Sequence, residues 1–300
     1  MGHDHDHGTK RYDRAFALGV ALNLAFVGVE AGYGLYAHSL ALVADAGHNL
    51  SDVAGLLLAW GASRLALRAP SPRRTYGMRR SSILAALGNA LLLLIAVGAI
   101  AWEAIRRLRD PEPVMTGAVM VVALVGIAIN TATALLFARG REKDLNIRGA
   151  FLHMAADAAV SAGVVVAALA IRYTGWNWLD PAMSLLIAVV ITVGTWGLLR
   201  ESVNLALDAV PAGIDTAAVA AYLRTLPGVT AVHDLHIWGM STTHVALTAH
   251  LVKPVLENDD ALLVTACHEL HERFGIEHAT LQVERDQGAA SCALASARVI

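Results

Sequence analysis

The sequence predicts an α-helical membrane protein, a six-helix transmembrane bundle followed by a small domain of mixed α and β structure. Of its 300 residues, 56% are hydrophobic and only 16% are charged, and the mean hydropathy is +0.53. Soluble domains usually carry about 25% charged residues, so the composition itself favours a membrane protein. Long apolar segments fill the first two thirds of the chain, and from about Asp208 shorter amphipathic segments replace them.

Six segments are apolar over the roughly 20 residues that a helix needs to cross the hydrocarbon core of a bilayer. Three of them contain no charged residue, and the other three carry isolated polar residues. In chain order, the predicted transmembrane helices are Arg14–Tyr36, Leu40–Leu67, Ser81–Trp102, Pro113–Ala138, Gly149–Arg172 and Pro181–Leu199.

The distribution of basic residues predicts that both termini lie in the cytoplasm. Lysines and arginines concentrate in the N-terminal segment and in the loops that follow the second, fourth and sixth helices, whereas the short loop after the first helix has none. Cytoplasmic loops carry the excess of positive charge in membrane proteins. Arg106, Arg107 and Arg109, after the third helix, are the exception to this pattern.

The C-terminal segment predicts a domain with the element order αββαβ, a ferredoxin-like arrangement. Amphipathic periodicity favours helices and apolar alternation favours strands. The predicted elements are a helix at Ile214–Leu226, strands at Val229–Trp238 and Val245–Val252, a helix at Asp259–Phe274 and a strand at Ala279–Val283. We therefore divide the chain into an arm (1–13), a transmembrane domain (14–207), a cytoplasmic α+β domain (208–286) and a flexible tail (287–300).

Composition and terminal sequence restrict the function classes. A net charge of −2 does not favour nucleic acid as a partner. Cys267 and Cys292 lie outside any CxxC pattern, so they form neither a disulfide framework nor a thiolate zinc site. The N-terminal arm has alternating His and Asp residues from His3 to His7; it is either a metal-gathering arm or an ordinary solvated tail.

Two predicted transmembrane helices carry the same pair of ionisable residues. His48 and Asp52 lie four residues apart in the second helix, as do His153 and Asp157 in the fifth. Residues at this spacing share one face of a helix, and ionisable groups within a membrane are costly and usually functional. If the two helices face each other, two imidazoles and two carboxylates converge, a number that suits tetrahedral zinc.

The alternative is that each pair is a hydrogen bond that stabilises helix packing. Two identical pairs in helices with few other ionisable groups favour a shared metal site instead. Imidazole with carboxylate favours zinc, with cadmium or cobalt also acceptable. Histidine exchanges protons near neutral pH, so exchange of metal for protons is chemically natural.

Three further polar residues lie in the predicted helices near this site. Asp45 is three residues before His48 and suits a partner that orients a metal-binding histidine, or else a role in packing or at the entrance. Asn49, one turn after Asp45, is expected to support the metal-binding residues or to line the ion path. Glu30 either lines the ion path or reaches water from its helix.

Five segments together resemble the cation diffusion facilitator family: LVADAGHNLSD, RTYGMRR, HMAAD, VHDLHIW and IEHATLQVE. The resemblance extends from the first helix to about Glu284 and implies a homodimeric zinc/proton exchanger with a metallochaperone-like cytoplasmic domain. It also implies that His48, Asp52, His153 and Asp157 form the transport site. Some members have a second site in the loop between helices two and three, but here Arg68–Arg80 contains no His, Asp or Glu.

The resemblance also implies a possible zinc site in the cytoplasmic domain. The residues that fall at suitable positions are His233, His236, His250, Asp260 and Glu284. Ordinary surface histidines are the alternative interpretation.

We therefore expect a zinc efflux transporter, not an enzyme, in the bacterial plasma membrane, with zinc, protons and membrane lipid as partners. The alternatives are an intramembrane zinc metalloenzyme, which usually keeps one coordination position open for water, and a zinc sensor that binds without flux. The arginine-rich loop Arg68–Arg80 is expected to bind lipid phosphates or to pair with acidic groups.

Overall fold

The computed structural model describes residues 24–137, 145–255 and 259–285. Helix α1 is described over 24–36, and the elements that follow are α2 (Leu40–Ala66), α3 (Ser81–Arg109), α4 (Thr116–Phe137), α5 (Leu145–Thr174), α6 (Leu179–Ala206), α7 (Thr216–Arg224), β1 (Ala231–Gly239), β2 (Val245–Val252), α8 (Asp259–Phe274) and β3 (His278–Glu284). The histidine-rich arm and the predicted C-terminal tail lie outside the described residues.

Four of the described helices are long and apolar enough to cross a membrane: Ser81–Arg109, Thr116–Leu135, Phe151–Thr174 and Leu179–Ala206. Large apolar side chains on their outer surfaces are exposed, among them Trp102 and Val193. Helices that are apolar on every face suit a lipid environment. A helical membrane domain is thus confirmed, whereas the full number of six transmembrane helices stays a prediction.

The described residues form two compact units, one comprising the chain up to Leu57 with Asn89–Gly197, the other comprising Leu58–Gly88 with the chain from Leu198 onward. In the first unit, α2 to α6 share a buried core in which alanines such as Ala41, Ala44 and Ala123 alternate with larger residues such as Val97 and Ile187. Small residues allow helices to approach closely in a membrane, where packing rather than hydrophobicity drives association.

The N-terminus of α2 is fixed by a carboxylate from another helix. Asp180, in the first turn of α6, accepts hydrogen bonds from the Leu40 amide at 2.7 Å and the Ser39 hydroxyl at 2.5 Å. Its side chain therefore satisfies donors at a helix start that have no partner within the helix. Because α2 carries His48 and Asp52, this contact helps to position the candidate site.

The second unit contains the small α+β domain. Its sheet has the order β1-β2-β3, with β1 and β2 antiparallel and β2 and β3 parallel. Helices α7 and α8 bury Leu223 and Leu270 in the same core as Leu247 and Leu251 of β2. Asp215 caps α7, since its carboxylate accepts a hydrogen bond from the Ala217 amide at 2.8 Å. A small C-terminal domain with a three-stranded sheet and helices is therefore confirmed.

Candidate metal sites

The two His-x-x-x-Asp pairs meet between α2 and α5. His153 Nε2 lies 3.0 Å from Asp52 Oδ2 and 3.7 Å from Asp157 Oδ2. His48 Nε2 lies 3.4 Å from Asp157 Oδ1 and 3.8 Å from Asp52 Oδ2. Each carboxylate thus contacts both imidazoles, and the four side chains form a closed ring.

The histidine–carboxylate spacing within this ring is close to that of a tetrahedral zinc site. Ligand atoms of His48, His153 and Asp157 lie within 4.8 Å of one another, whereas Asp52, which contacts both histidines, is not part of this three-residue group. Ligand atoms about 2.0–2.1 Å from zinc lie about 3.3 Å from one another in a tetrahedron, and the four His–Asp distances, from 3.0 to 3.8 Å, lie on both sides of that value. The two imidazole rings are 5.7 Å apart between centroids and nearly perpendicular, at 76°. Little side-chain movement is needed for both Nε2 atoms to bind one ion.

Burial across the ring is uneven. The Asp157 side chain is 3% exposed, whereas that of His153 is 42% exposed and that of Asp52 is 32% exposed. One side of the ring therefore faces the protein interior and the other is accessible, which gives an ion a direct approach to Asp52 and His153.

Beside this ring lies a buried polar network. Asn49 Nδ2 donates to Glu30 Oε2 at 3.1 Å, and Ser161 Oγ donates to Asp45 Oδ2 at 2.8 Å. Glu30 and Asp45 are fully buried, and each has one carboxylate oxygen without a hydrogen-bond partner among the described residues. The Asp45 carboxylate is therefore bonded to Ser161 of α5. The second ring nitrogen of His48, Nδ1, has no hydrogen-bond partner in the described part of the chain.

Sequence reasoning missed Ser161. It lies four residues after Asp157, so it shares the face of α5 that carries His153 and Asp157. That spacing is the signal that would have found it, but serine is common in transmembrane helices and its partner lies on a different helix.

A second group of ligand-type side chains lies on the sheet. Antiparallel pairing sets His233 opposite His250, and parallel pairing sets Val252 beside Glu284. His250 Nδ1 is 2.8 Å from Glu284 Oε1, and His233 Nε2 is 3.2 Å from Glu284 Oε2. The three side chains are largely buried. Strand register alone brings these two imidazoles and one carboxylate together.

A β-bulge brings Asp234 to the same group. The β1 register shifts between His233 and His236, and Asp234 has a positive φ of 51°. Its carboxylate lies 3.5 Å from His250 Nε2 and 2.9 Å from His236 Nε2. In a regular strand Asp234 would point to the opposite face from His233, whereas a bulge re-aims a side chain.

The structure does not bring every sequence-predicted ligand to this group. Asp260 lies exposed in the first turn of α8 and makes no contact with His233, His250 or Glu284 among the interactions of the described residues. His236 reaches the group only through Asp234.

The fold and the buried ligands together define a class, an integral membrane protein that handles cations. Comparison with known families makes this specific. Residues 16–205 match the cation efflux transmembrane domain and residues 211–286 match the cation efflux protein cytoplasmic domain. The chain belongs to the cation efflux family, also called cation diffusion facilitators, which are transporters rather than enzymes.

Three similar proteins illustrate the relationship. The metal cation efflux system protein CzcD of Cupriavidus metallidurans is 37% identical, over 94% of this chain and 90% of that protein. The zinc transporter ZitB of Escherichia coli is 38% identical, over 95% and 93%. A cadmium, cobalt and zinc/H(+)-K(+) antiporter of Bacillus velezensis is 32% identical, over 95% and 92%.

Proposed function

We propose that this protein exports zinc, or the similar divalent ions cadmium and cobalt, from the cytoplasm, and that His48, Asp52, His153 and Asp157 bind the ion during transport. The observation that carries the proposal is the closed ring of two imidazoles and two carboxylates within the helical membrane domain. Relatives named as zinc, cadmium and cobalt transporters support the choice of ion.

The donor atoms favour such ions. Two nitrogen and two oxygen ligands suit zinc and its neighbours, whereas magnesium, calcium and manganese prefer oxygen alone. Four protein ligands complete a tetrahedral shell and leave no position for an activated water molecule. This arrangement supports binding and release of an ion over catalysis at one.

Exchange with protons follows from the same ring. His153 Nε2 and Asp52 Oδ2 are 3.0 Å apart, a separation at which a shared proton forms a hydrogen bond. A metal ion needs both atoms deprotonated. Metal and proton therefore exclude each other at this pair, so that protons from the outer side displace the ion and are carried inward.

The buried network supports the ring in this proposal. Asp45 and Ser161 join α2 to α5, and Asn49 and Glu30 join α2 to α1. These bonds hold the helix faces that present the four ligands, and Glu30 and Asp45 lie along the path of the ion or its protons.

The wider organisation belongs to the same proposal. The arm (1–13) gathers metal, residues 14–207 form six transmembrane helices, and residues 208–286 form a cytoplasmic domain of a homodimer, followed by the tail (287–300). Both termini face the cytoplasm of a bacterial plasma membrane. In the cytoplasmic domain His233, His250 and Glu284, with Asp234 beside them, bind a second zinc ion.

Zinc uptake by proteoliposomes tests the transport site. Full-length protein is reconstituted around a trapped zinc dye under an imposed pH gradient. Asp52→Asn and Asp157→Asn each keep the side-chain shape but remove an anionic ligand, so both variants are expected to lose most uptake. Asp110→Asn, an exposed loop residue, is the matched control and is expected to transport like the unmodified protein.

Normal uptake by both ligand variants would contradict the assignment of the site. Zinc binding by the unmodified protein without any flux would instead favour a sensor. Turnover of a membrane substrate without net ion movement would favour a metalloenzyme.

A further inference from the structure

The second unit contains a large cavity that the transport proposal does not use. Its volume is about 1100 Å³. Most of its walls come from three segments: residues 73–84, which run from the loop into α3, residues 207–210 after α6, and the β1 strand from Leu235 to Trp238.

The cavity is strongly basic. Among the described residues, four arginines line it (Arg73, Arg74, Arg79 and Arg80), and Asp208 is the one acidic residue in its lining. Asp208 is bound to Arg80 at 2.5 Å. Four positive charges against one negative charge leave a net charge of +3. Arg73 and Arg79 have no carboxylate partner among the described residues, so their guanidinium groups are available to an anion.

The cavity also combines this charge with hydroxyl groups and an apolar wall. Thr75, Tyr76 and Ser81 line it together with Leu84 and Leu207, and both leucines are more than 60% exposed. Guanidinium and hydroxyl groups are the usual donors to phosphate oxygens. The exposed leucines beside these donors are suited to contact the hydrocarbon part of a phosphate-bearing molecule rather than water.

The cavity lies beside the ends of two membrane-length helices. The loop residues 73–80 directly precede Ser81, the start of one membrane-length helix, and residues 207–210 directly follow Ala206, the end of another. Basic groups next to the end of a membrane segment meet the phosphates of membrane lipids, and anionic lipids strengthen the attraction.

We infer that this cavity binds a phosphate anion, held by Arg73 and Arg79. The shared chemistry is a phosphate ester or free phosphate, and the two sources are the headgroup of an anionic lipid and a soluble phosphate compound. A bound phosphate contacts both the loop before α3 and the segment after α6. It therefore links the start of α3 to the end of α6.

The test measures binding of phosphatidylglycerol, phosphatidylcholine and inorganic phosphate to the full-length protein in detergent, by native mass spectrometry and by titration. The cavity variant is Arg73→Gln with Arg79→Gln, which leaves the Arg80–Asp208 pair intact. The matched control is Arg200→Gln with Arg224→Gln, because it removes two exposed arginines that belong to the same unit and do not line the cavity. A second variant, Arg73→Lys with Arg79→Lys, keeps the charge.

The cavity variant is expected to bind phosphatidylglycerol on the order of tenfold more weakly, with the control unchanged and the lysine variant intermediate. Loss confined to phosphatidylglycerol identifies a lipid, whereas equal sensitivity of inorganic phosphate identifies a soluble phosphate compound. Equal binding of both anions by the cavity variant and the unmodified protein would overturn the inference. So would an equal loss in the control, which would show general attraction to a basic surface.

Discussion

At the scale of single residues, the candidate transport site consists of four side chains. His48, Asp52, His153 and Asp157 supply two nitrogen and two carboxylate ligands, and each carboxylate contacts both imidazoles. Among the described residues, His48, His153 and Asp157 form a compact group able to hold a metal ion, and Asp52 contacts both histidines, so each substitution among the four changes the candidate site directly.

Exchange of one imidazole for a carboxylate is expected to alter ion preference. His153→Asp leaves one nitrogen and three carboxylate groups, and oxygen-rich sites suit harder ions. We expect zinc affinity to fall at least tenfold, with a smaller loss for manganese. Competition titrations with both metals measure the ratio, and an unchanged zinc-to-manganese ratio would contradict the role of His153 as a ligand.

The buried Ser161 is expected to stabilise the bundle more than it aids binding. Ser161→Ala leaves the Asp45 carboxylate without its donor, at a cost of about 1–3 kcal/mol. Ser184→Ala is the matched control, since the Ser184 hydroxyl is buried without a hydrogen-bond partner among the described residues. Thermal unfolding in detergent is expected to show a lower midpoint for Ser161→Ala only, and equal midpoints would argue against the bond.

At the residue scale, sequence reasoning reaches furthest where one helix holds both partners, as in His48–Asp52 and His153–Asp157; their role as metal ligands stays a prediction. The i,i+4 spacing within α2 and within α5 predicts each His–Asp pair, because helix geometry fixes their common face. Contacts between helices have no such signal. Ser161 was missed because its partner, Asp45, is 116 residues away.

At the scale of elements, a helix cap and a β-bulge position side chains of the two candidate metal sites. Asp180 of α6 caps the start of α2, and a β-bulge in β1 turns Asp234 toward His236 and His250. Neither follows from hydrophobic periodicity, because a cap from a distant helix and an extra residue in a strand leave the pattern almost unchanged. Asp260 is the opposite case. The family resemblance suggested that it binds metal, but it lies exposed at the start of α8, away from the histidines.

Removal of the α2 cap is expected to affect the membrane site. Asp180→Ala leaves the Leu40 and Ala41 amides without their acceptor, and loss of such a cap costs about 0.5–2 kcal/mol. We expect a lower unfolding midpoint and weaker zinc binding at the membrane site. Asp215→Ala, which removes the α7 cap in the other unit, is the control.

That control is expected to destabilise the α+β domain while leaving zinc uptake by proteoliposomes intact. If Asp180→Ala binds and transports zinc normally, the cap does not position α2.

At the scale of the whole molecule, the sequence predicted a helical membrane domain followed by a small domain of sheet and helices, and both are found. Helix length and apolarity fix the membrane segments, and α7-β1-β2-α8-β3 follows from a change of periodicity after Asp208. The second helix, α2, is not among the four helices that are long and apolar enough to cross a membrane, because the ionisable residues of the candidate site lower its hydropathy.

Zinc affinity is expected to depend on pH in one direction. A protonated imidazole cannot bind metal, so protons and zinc compete for His48 and His153. Zinc affinity is therefore expected to fall as the pH is lowered. Dye competition from about pH 8 down to about pH 5.5 measures the change; constant affinity across this range would contradict ligation by histidine.

X-ray absorption at the zinc edge tests the central claim most directly. The full-length variant His233→Ala with His250→Ala removes the candidate site on the sheet, so that bound zinc reports on the membrane site. We predict a four-coordinate shell of two imidazole nitrogens and two carboxylate oxygens at about 2.0–2.1 Å. A folded variant that binds no zinc, or a shell without imidazole, would contradict the account.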